Sequence, residues 1–355
     1  MVPSGSRLMR AVRWHGRGDV RVEEVPQAGP PGPHEVRVRV AWCGLCGSDL
    51  HEYRSGPFRI PLRPHPVTGQ SAPVVIGHEI SGWVEAVGAD TAGLREGDLV
   101  ALNALLPCGA CGPCSRGDVH LCLTLGHLGM SADGGLAELV TVPAAMVVPA
   151  PAGMGGDVAA LAEPFAVAMR AVGQAGRPVG GSCIVLGAGA IGLSVAIVLR
   201  AGGNAVTLLD IARDRLRHAG ELAFAALDVR AAEAAALQAP VVFECSGADS
   251  APDLAFRLAE PGGLVVLIGL PESPSTVDFT VVVLREVRVV GSMSHLADAD
   301  MAPALSLLAE HTEEASRIVT ARIPLGATVT HGLDAMAGPW RARHAKILVR
   351  VHDGG

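Results

Sequence analysis

Lysine is all but missing from this chain. Lys346 is the only one in 355 residues, and arginine carries the remaining positive charge. Acidic residues outnumber basic ones, giving a net charge of −7 and a pI near 6. That balance argues against a nucleic-acid partner, whose phosphates favour a basic face. The stretch Met1 to Arg13 has no apolar core of signal-peptide length, so a cytoplasmic, reducing compartment is expected. Long apolar runs are lacking too. The run Cys183 to Leu199 carries no charge, but it falls short of the ~20 residues of a membrane span. Gly187, Gly189 and Gly192 also interrupt it, and a buried strand, a tight turn and a buried helix explain it better. No internal repeat or low-complexity segment is present. Cysteine is sparse, with eight in the chain.

What is there begins with those cysteines, since half of them share one loop. Cys108, Cys111, Cys114 and Cys122 are spaced C-x2-C-x2-C-x7-C. Spacings of two residues let successive thiolates converge on one tetrahedral ion, and in a reducing compartment such clusters bind metal more often than they form disulfides. Four sulfurs fill the coordination sphere, so a closed, structural zinc site is expected.

The length calls for two domains. The first part reads as β-rich: Val36 to Trp42 alternates and is dense in valine, and Ile80 to Val87 and Leu136 to Val142 look similar. Long Gly/Pro-rich loops separate these runs, and loops of that length are usually functional. After about residue 155 the texture changes. An alanine-rich helix, Val158 to Gly173, leads into short apolar strands separated by helices. Such alternation indicates a parallel sheet covered on both faces. A helix (Met301–Glu310) and a strand (Ala345–Val351) close the chain.

Gly187-Ala-Gly189-Ala-Ile191-Gly192 gives G-x-G-x-x-G, a weak signal alone in a chain with 44 glycines. Its setting strengthens it. A strand precedes it, a helix follows, and Asp210 ends the next strand. The glycines permit a tight turn and close approach of backbone to a pyrophosphate, which the helix N-terminus favours. Asp210 can accept hydrogen bonds from ribose hydroxyls and would repel a 2′-phosphate, so NAD is favoured over NADP. Arg213 and Arg215 nearby weigh the other way. The candidate cofactor contacts are Gly187, Gly189, Ile191, Gly192, Asp210 and Arg215.

Three further motifs are Cys46-Gly-Ser48-Asp49-Leu-His51, Gly77-His78-Glu79 and Glu163-Pro164. With the four-cysteine loop and the later glycine turn, they stand in the order found in the zinc-dependent medium-chain dehydrogenases, and the chain resembles that superfamily over essentially its whole length. The segments CGLCGSDLHEYRSGP, HPVTGQSAPVVIGHE, AEPFAVA, Phe243-Glu-Cys-Ser-Gly247 and Ala345-Lys-Ile-Leu-Val349 are similar to its butanediol and polyol dehydrogenase branch.

The resemblance implies an α/β chain. A GroES-like β-rich catalytic domain would span residues 1–157 and 296–355, and a Rossmann doubly wound coenzyme domain 158–295. It implies that Cys46, His78 and Glu163 hold a catalytic zinc, with Glu79 able to approach the metal. Ser48 would pass on the substrate proton, His51 would continue the path to solvent, and Asp49 would orient His78. Three protein ligands and one open position are what a catalytic zinc requires. Two zinc ions per chain and a homodimer or homotetramer are expected.

Plainer readings exist for several of these residues. Cys43 lies three residues before Cys46 and reads as a buried thiol, because the family ligand directly precedes Gly-Ser-Asp. Glu163 could be an exposed acid at a helix start, and His51 a loop hydrogen-bonder. Cys183 and Cys245 read as core; His65, His120, His127 and His295 have no ligand-like spacing with the motifs. Departures from the family, at Thr320-Ala321-Arg322, at Gly338 to His344 and at Ser292 to His295, loosen any transfer of substrate.

The resulting expectation is a zinc-dependent oxidoreductase that interconverts a secondary alcohol and its ketone with NAD. Vicinal diols, polyols, cyclitols and sugar alcohols are the substrate classes. Arg54, Arg59 and Arg63 in the loop from Glu52 to Pro66 keep a hydroxy acid or phosphorylated polyol open, and a threonine 3-dehydrogenase is a rival within the same chemistry. A non-catalytic zinc-binding interaction module is the alternative of a different class.

Overall fold

A computed structural model describes residues 7–177 and 180–352. Two compact units emerge. The first comprises Met1–Glu163, Leu296–Thr312 and Val319–Gly355; the second comprises Pro164–His295 and Glu313–Ile318.

The first unit is built around a mixed seven-stranded sheet. Its central strand is β1 (Glu35–Leu45), followed at once by helix α1 (Gly47–Ser55). Alternation fixes which face of β1 is buried. Val36, Val38 and Val40 are wholly buried in the core. Between them, Arg37 pairs with Glu85 at 2.6 Å and Arg39 lies over the Trp83 ring at 5.2 Å. Strand β2 (Glu79–Val87) pairs antiparallel with β1 and sets Glu79 opposite Gly44. The Cys46 motif thus follows the end of β1, and the His78-Glu79 motif stands at the adjacent start of β2. Helix α2 (Ala162–Gln174) carries Glu163 in its first turn.

The second unit is a six-stranded parallel sheet. Its strands are β3 (Ser182–Leu186), β4 (Ala205–Asp210), β5 (Ala225–Asp228), β6 (Ala239–Glu244), β7 (Ala259–Leu267) and β8 (Arg288–Gly291), in the spatial order β5-β4-β3-β6-β7-β8. The order reverses beside β3, and such switch points are where open α/β sheets bind ligands. Helix α3 (Ala190–Ala201) follows β3. The charge-free run therefore resolves into a strand, a turn and a helix with Leu193 to Leu199 all buried. Among the described residues no helix is long and apolar enough to cross a membrane.

The closing strands return to the first unit. Strand β9 (Val319–Pro324) pairs in parallel with β10 (Lys346–Arg350), and β10 pairs antiparallel with β1. The chain's only lysine thus arrives next to the start of the Cys46 motif.

Candidate active site

Cys46 caps α1: Asp49 Oδ2 accepts the Cys46 backbone N–H at 2.9 Å. That bond spends one Asp49 oxygen on the helix start. The other, Oδ1, is buried and faces His78 Nδ1 at 3.5 Å, and neither atom has a closer hydrogen-bond partner. His78 is 3% exposed and presents its opposite nitrogen, Nε2, to Ser48 Oγ at 3.3 Å. Burial opposes the charged form of His78, but Asp49 and Cys46 outweigh it and hold the imidazole well above its ordinary pKa. Cys46, His78 and Glu79 bring one ligand atom each within 4.8 Å of one another.

Glu163 lies outside that tight trio, but it is not the exposed helix-start acid. It is 7% exposed. Burial pushes its carboxyl up to about 7; His78 and Lys346 pull it down, Glu79 and Asp49 up. One thiol, one imidazole and two carboxylates around a buried focus are a donor set for a transition metal. A divalent cation would balance the thiol and carboxylate charges gathered here, so these residues fit a catalytic zinc.

Two further side chains join this focus and are not evident from motif spacing. Lys346 Nζ bonds both Glu79 oxygens, at 2.5 and 2.7 Å, and the Leu45 carbonyl at 3.0 Å. The sequence offered one clue, its being the chain's single lysine. The His127 ring stands edge-on to His78, centroids 5.1 Å apart, and His127 Nδ1 lies 2.7 Å from the Leu128 carbonyl. Cys43 is fully buried, as befits a core thiol, and its pKa is raised well above the ordinary value by that burial. His51 tilts against Phe58, ring centroids 4.4 Å apart. Arg54, Arg59 and Arg63 are exposed. His65 Nδ1 accepts the Val67 and Thr68 N–H groups and so holds its own loop, while His120 and His295 are buried.

The four-cysteine loop closes on itself. Cys111 Sγ lies 3.4 Å from Cys114 Sγ and 3.9 Å from Cys122 Sγ, and all four sulfurs fall within 4.8 Å. A zinc tetrahedron with sulfurs at ~2.3 Å has edges of about 3.8 Å, whereas a disulfide would need about 2.05 Å. Backbone N–H groups of Ala110 and Cys111 aim at Cys108, lowering its thiol to about 6, while burial and the neighbouring thiols raise Cys114 to about 12. Four thiols that cannot all ionise alone fit a metal that lets them.

In the second unit the turn after β3 is held from both sides. Gly187 has φ +101°, a left-handed conformation that disfavours other residues, and a β-carbon there would meet Ser246. A β-carbon at Gly192 would strike the Gly187 carbonyl. Gly189 is the N-cap of α3 and supplies no side-chain cap, so first-turn N–H groups are left for another acceptor. Ile191 is half-buried at that helix start. Asp210, 5% exposed, accepts the N–H of Ala188 at 2.8 Å and of Ala212 at 2.9 Å. A carboxylate has about four acceptor positions, which leaves room for ribose hydroxyls. Arg215 Nη1 lies 3.5 Å from Asp210 Oδ2, and its buried Nε has no hydrogen-bond partner among the described residues. These residues fit a dinucleotide.

Comparison with known proteins gives the family of this fold. Residues 32–152 match the alcohol dehydrogenase GroES-like domain, and residues 190–310 match the zinc-binding dehydrogenase domain. The (R,R)-butanediol dehydrogenase of Bacillus subtilis strain 168 is 32% identical over 354 residues, covering 96% of this chain and 99% of its own. The sorbitol dehydrogenase of Halalkalibacterium halodurans is 34% identical over 86% of this chain and 89% of its own. The crystal structure of 2R,3R-butanediol dehydrogenase from Bacillus subtilis superposes with a TM-score of 0.88 at 32% identity, covering 97% of this chain and 100% of that one. A zinc-binding dehydrogenase from Sinorhizobium meliloti 1021, bound to NADP, gives 0.86 at 29% identity over 97% and 100% of the two chains. An Escherichia coli CFT073 alcohol dehydrogenase complexed with NADH gives 0.85 at 26% over 97% and 99%.

The chain belongs to the zinc-binding dehydrogenases of the alcohol dehydrogenase family, with a GroES-like unit and a Rossmann-like parallel-sheet unit. It is an oxidoreductase that acts on CH–OH groups.

Proposed function

We propose that this protein is an NAD-dependent zinc dehydrogenase of vicinal diols or polyols. The observation that carries the reading is the buried focus of Cys46, His78 and two carboxylates, with Ser48 Oγ 3.3 Å from His78 Nε2. Cys46, His78 and Glu163 would hold the catalytic ion, and Cys108, Cys111, Cys114 and Cys122 a second, structural one. A bound zinc acidifies an alcohol and polarises a ketone; NAD accepts or returns the hydride.

The chain's own residues supply the rest. Asp49 Oδ1 faces His78 Nδ1 at 3.5 Å and would orient the ring so that Nε2 is the nitrogen offered to the metal. Ser48 Oγ stands where it can take the alcohol proton, and His51 continues that path. The N–H groups that open α3 would receive the pyrophosphate, and Asp210 would accept the ribose hydroxyls. Butanediol and sorbitol dehydrogenases among the relatives support the diol and polyol class, and Glu163 as a carboxylate ligand resembles that branch. Arg215 beside Asp210 and the NADP-bound relative favour a second reading in which NADP is also used.

A cytoplasmic homo-oligomer completes the reading. Phe279, Val283 and Leu284 are 67%, 72% and 79% exposed in the segment that leads to β8, the outer strand of the parallel sheet. These exposed apolar side chains offer a surface that a second copy of the chain would cover.

The test is reduced-cofactor absorbance with vicinal diols, sugar alcohols, cyclitols, 2-hydroxy acids and threonine, each with NAD and NADP. Oxidation of a diol or polyol with NAD is expected. A zinc-loaded protein that oxidises none of them sinks the reading.

A further inference from the structure

Glu52 is a buried acid that the proposed chemistry leaves without a role. It follows His51 on α1, so the two side chains point about 100° apart around the helix. Glu52 turns inward and is 2% exposed, while His51 is half-buried. A carboxylate out of water needs hydrogen bonds in exchange, and the chain leaving α1 folds back to supply them. Glu52 Oε1 accepts the Arg59 N–H at 2.5 Å, and the Phe58 N–H meets both oxygens, at 3.2 and 3.0 Å. The Ile60 N–H lies 3.4 Å from Oε1. This fold-back requires Gly56. Its N–H bonds the Glu52 carbonyl at 3.1 Å, and a β-carbon there would lie 2.5 Å from that carbonyl oxygen and 2.6 Å from Oε2. Trp14, on the strand Leu8–Gly16, bonds the same carbonyl through Nε1 at 2.9 Å. Ile60 then sinks into the core at 1% exposure and anchors the far end of the turn. Between these anchors stands Phe58. It is 58% exposed, yet its ring tilts 34° against His51 with centroids 4.4 Å apart. An aromatic contact that open to water is too weak to order an irregular segment by itself. The ring keeps its place because Glu52 holds the backbone beneath it.

We propose that Glu52 is a positioning residue for the proton path. By gathering the N–H groups of Phe58, Arg59 and Ile60, it seats the Phe58 ring on His51 and confines the imidazole to one orientation, from which it carries the proton onward. The inference rests on the proposed path through Ser48 and His51 and extends it by one supporting layer.

The Phe58 ring current makes this seat visible without turnover. In protein carrying 13C-labelled histidine, the His51 ring signal is identified by its loss in His51→Gln. It should lie upfield in the wild type and return toward the ordinary position in Phe58→Leu. The same return is expected in Glu52→Gln, whose amide N–H₂ faces the N–H groups it must hold. Both variants should lower turnover roughly 10- to 100-fold, the cost of a misplaced group, with KM for the cofactor unchanged. An added small base, N-methylmorpholine, should recover most of the loss. If either the His51 signal or the turnover of a folded Glu52→Gln chain keeps its wild-type value, the inference is overturned. Should Glu52→Gln fail to fold, hydrogen exchange of the wild type decides: the Phe58 and Arg59 amides should exchange slowly despite their exposed loop, and fast exchange overturns the inference. A His51→Gln chain with full turnover overturns the proton path itself, and this inference with it. Lost turnover in His51→Gln beside an unaffected Glu52→Gln overturns this inference alone.

Discussion

Ser48 and His78 share a contact whose two readings separate cleanly. If Ser48 Oγ handles the substrate proton, Ser48→Ala should lower turnover by about 10²-fold or more while metal analysis still finds the wild-type zinc content. Loss of zinc instead would make the hydroxyl part of the ligand scaffold. Asp133 tests a different residue-level effect, away from the metal. Its side chain is exposed at the surface, yet it accepts the Val75 N–H at 2.8 Å. Partial loss of hydration beside the protein raises its pKa, with the Val75 bond and Arg13 opposing. An acid whose folded pKa is raised contributes its stability below its unfolded value, about 3.9, and loses it as pH rises through the folded value. Asp133→Asn removes that slope. Its melting temperature relative to wild type should therefore be more favourable at pH 7 than at pH 4; an equal difference at both would contradict the shift. Residue identity was legible where a motif spells out ligand chemistry, as at Cys46-Gly-Ser48-Asp49. It was not legible for Lys346, whose partner Glu79 lies 267 positions away along the chain.

At the scale of elements, β1 was readable because valine alternation reports a half-buried strand directly. The glycine turn was readable because strand, turn and helix each carry their own signature. Short strands such as β5, whose pattern alternates exposed and half-buried residues, send no such signal. Nor does periodicity reveal that β10 returns to pair with β1, since pairing partners are set by tertiary packing. The cofactor turn yields a prediction of its own. Asp210→Asn keeps the bonds to Ala188 and Ala212 possible but removes the charge. Charged hydrogen bonds contribute about 1.5–3 kcal/mol, so kcat/KM with NAD should fall roughly 10- to 100-fold while NADP is harmed less. Equal losses with both cofactors would assign Asp210 to holding the turn alone. The cysteine loop folds into short helical pieces, Gly112–Ser115 and Val119–Leu121, with no buried residue in the first. With so little core, its order should depend on metal. Cys111→Ser should lower zinc content by one ion per chain and make this loop the first site of limited proteolysis.

For the whole molecule, two units divide the candidate chemistry: the proposed metal ligands lie in one and the glycine turn in the other. Metal analysis of the full chain should return two zinc ions. Light scattering coupled to gel filtration should find a dimer or tetramer, and Val283→Arg should shift the population toward monomer. A monomeric wild type would leave the apolar face at Phe279, Val283 and Leu284 without its expected occupant. Fold class was legible at this scale because both halves follow familiar patterning rules. The joining of residues 313–318 to the parallel-sheet unit was not, because that short return has no composition that distinguishes it.

The solitary lysine also gives the protein an unusual chemical blank. Beyond any terminal amine, a folded chain offers no exposed primary amine to acylating reagents or aldehyde cross-linkers. A lysine-specific endoprotease has one cleavage point, after Lys346, and it is shut inside a sheet. Cleavage there can begin only once the β10 strand leaves its neighbours. The fragment released becomes a single-site clock for the opening of the GroES-like unit, readable by mass spectrometry without labels.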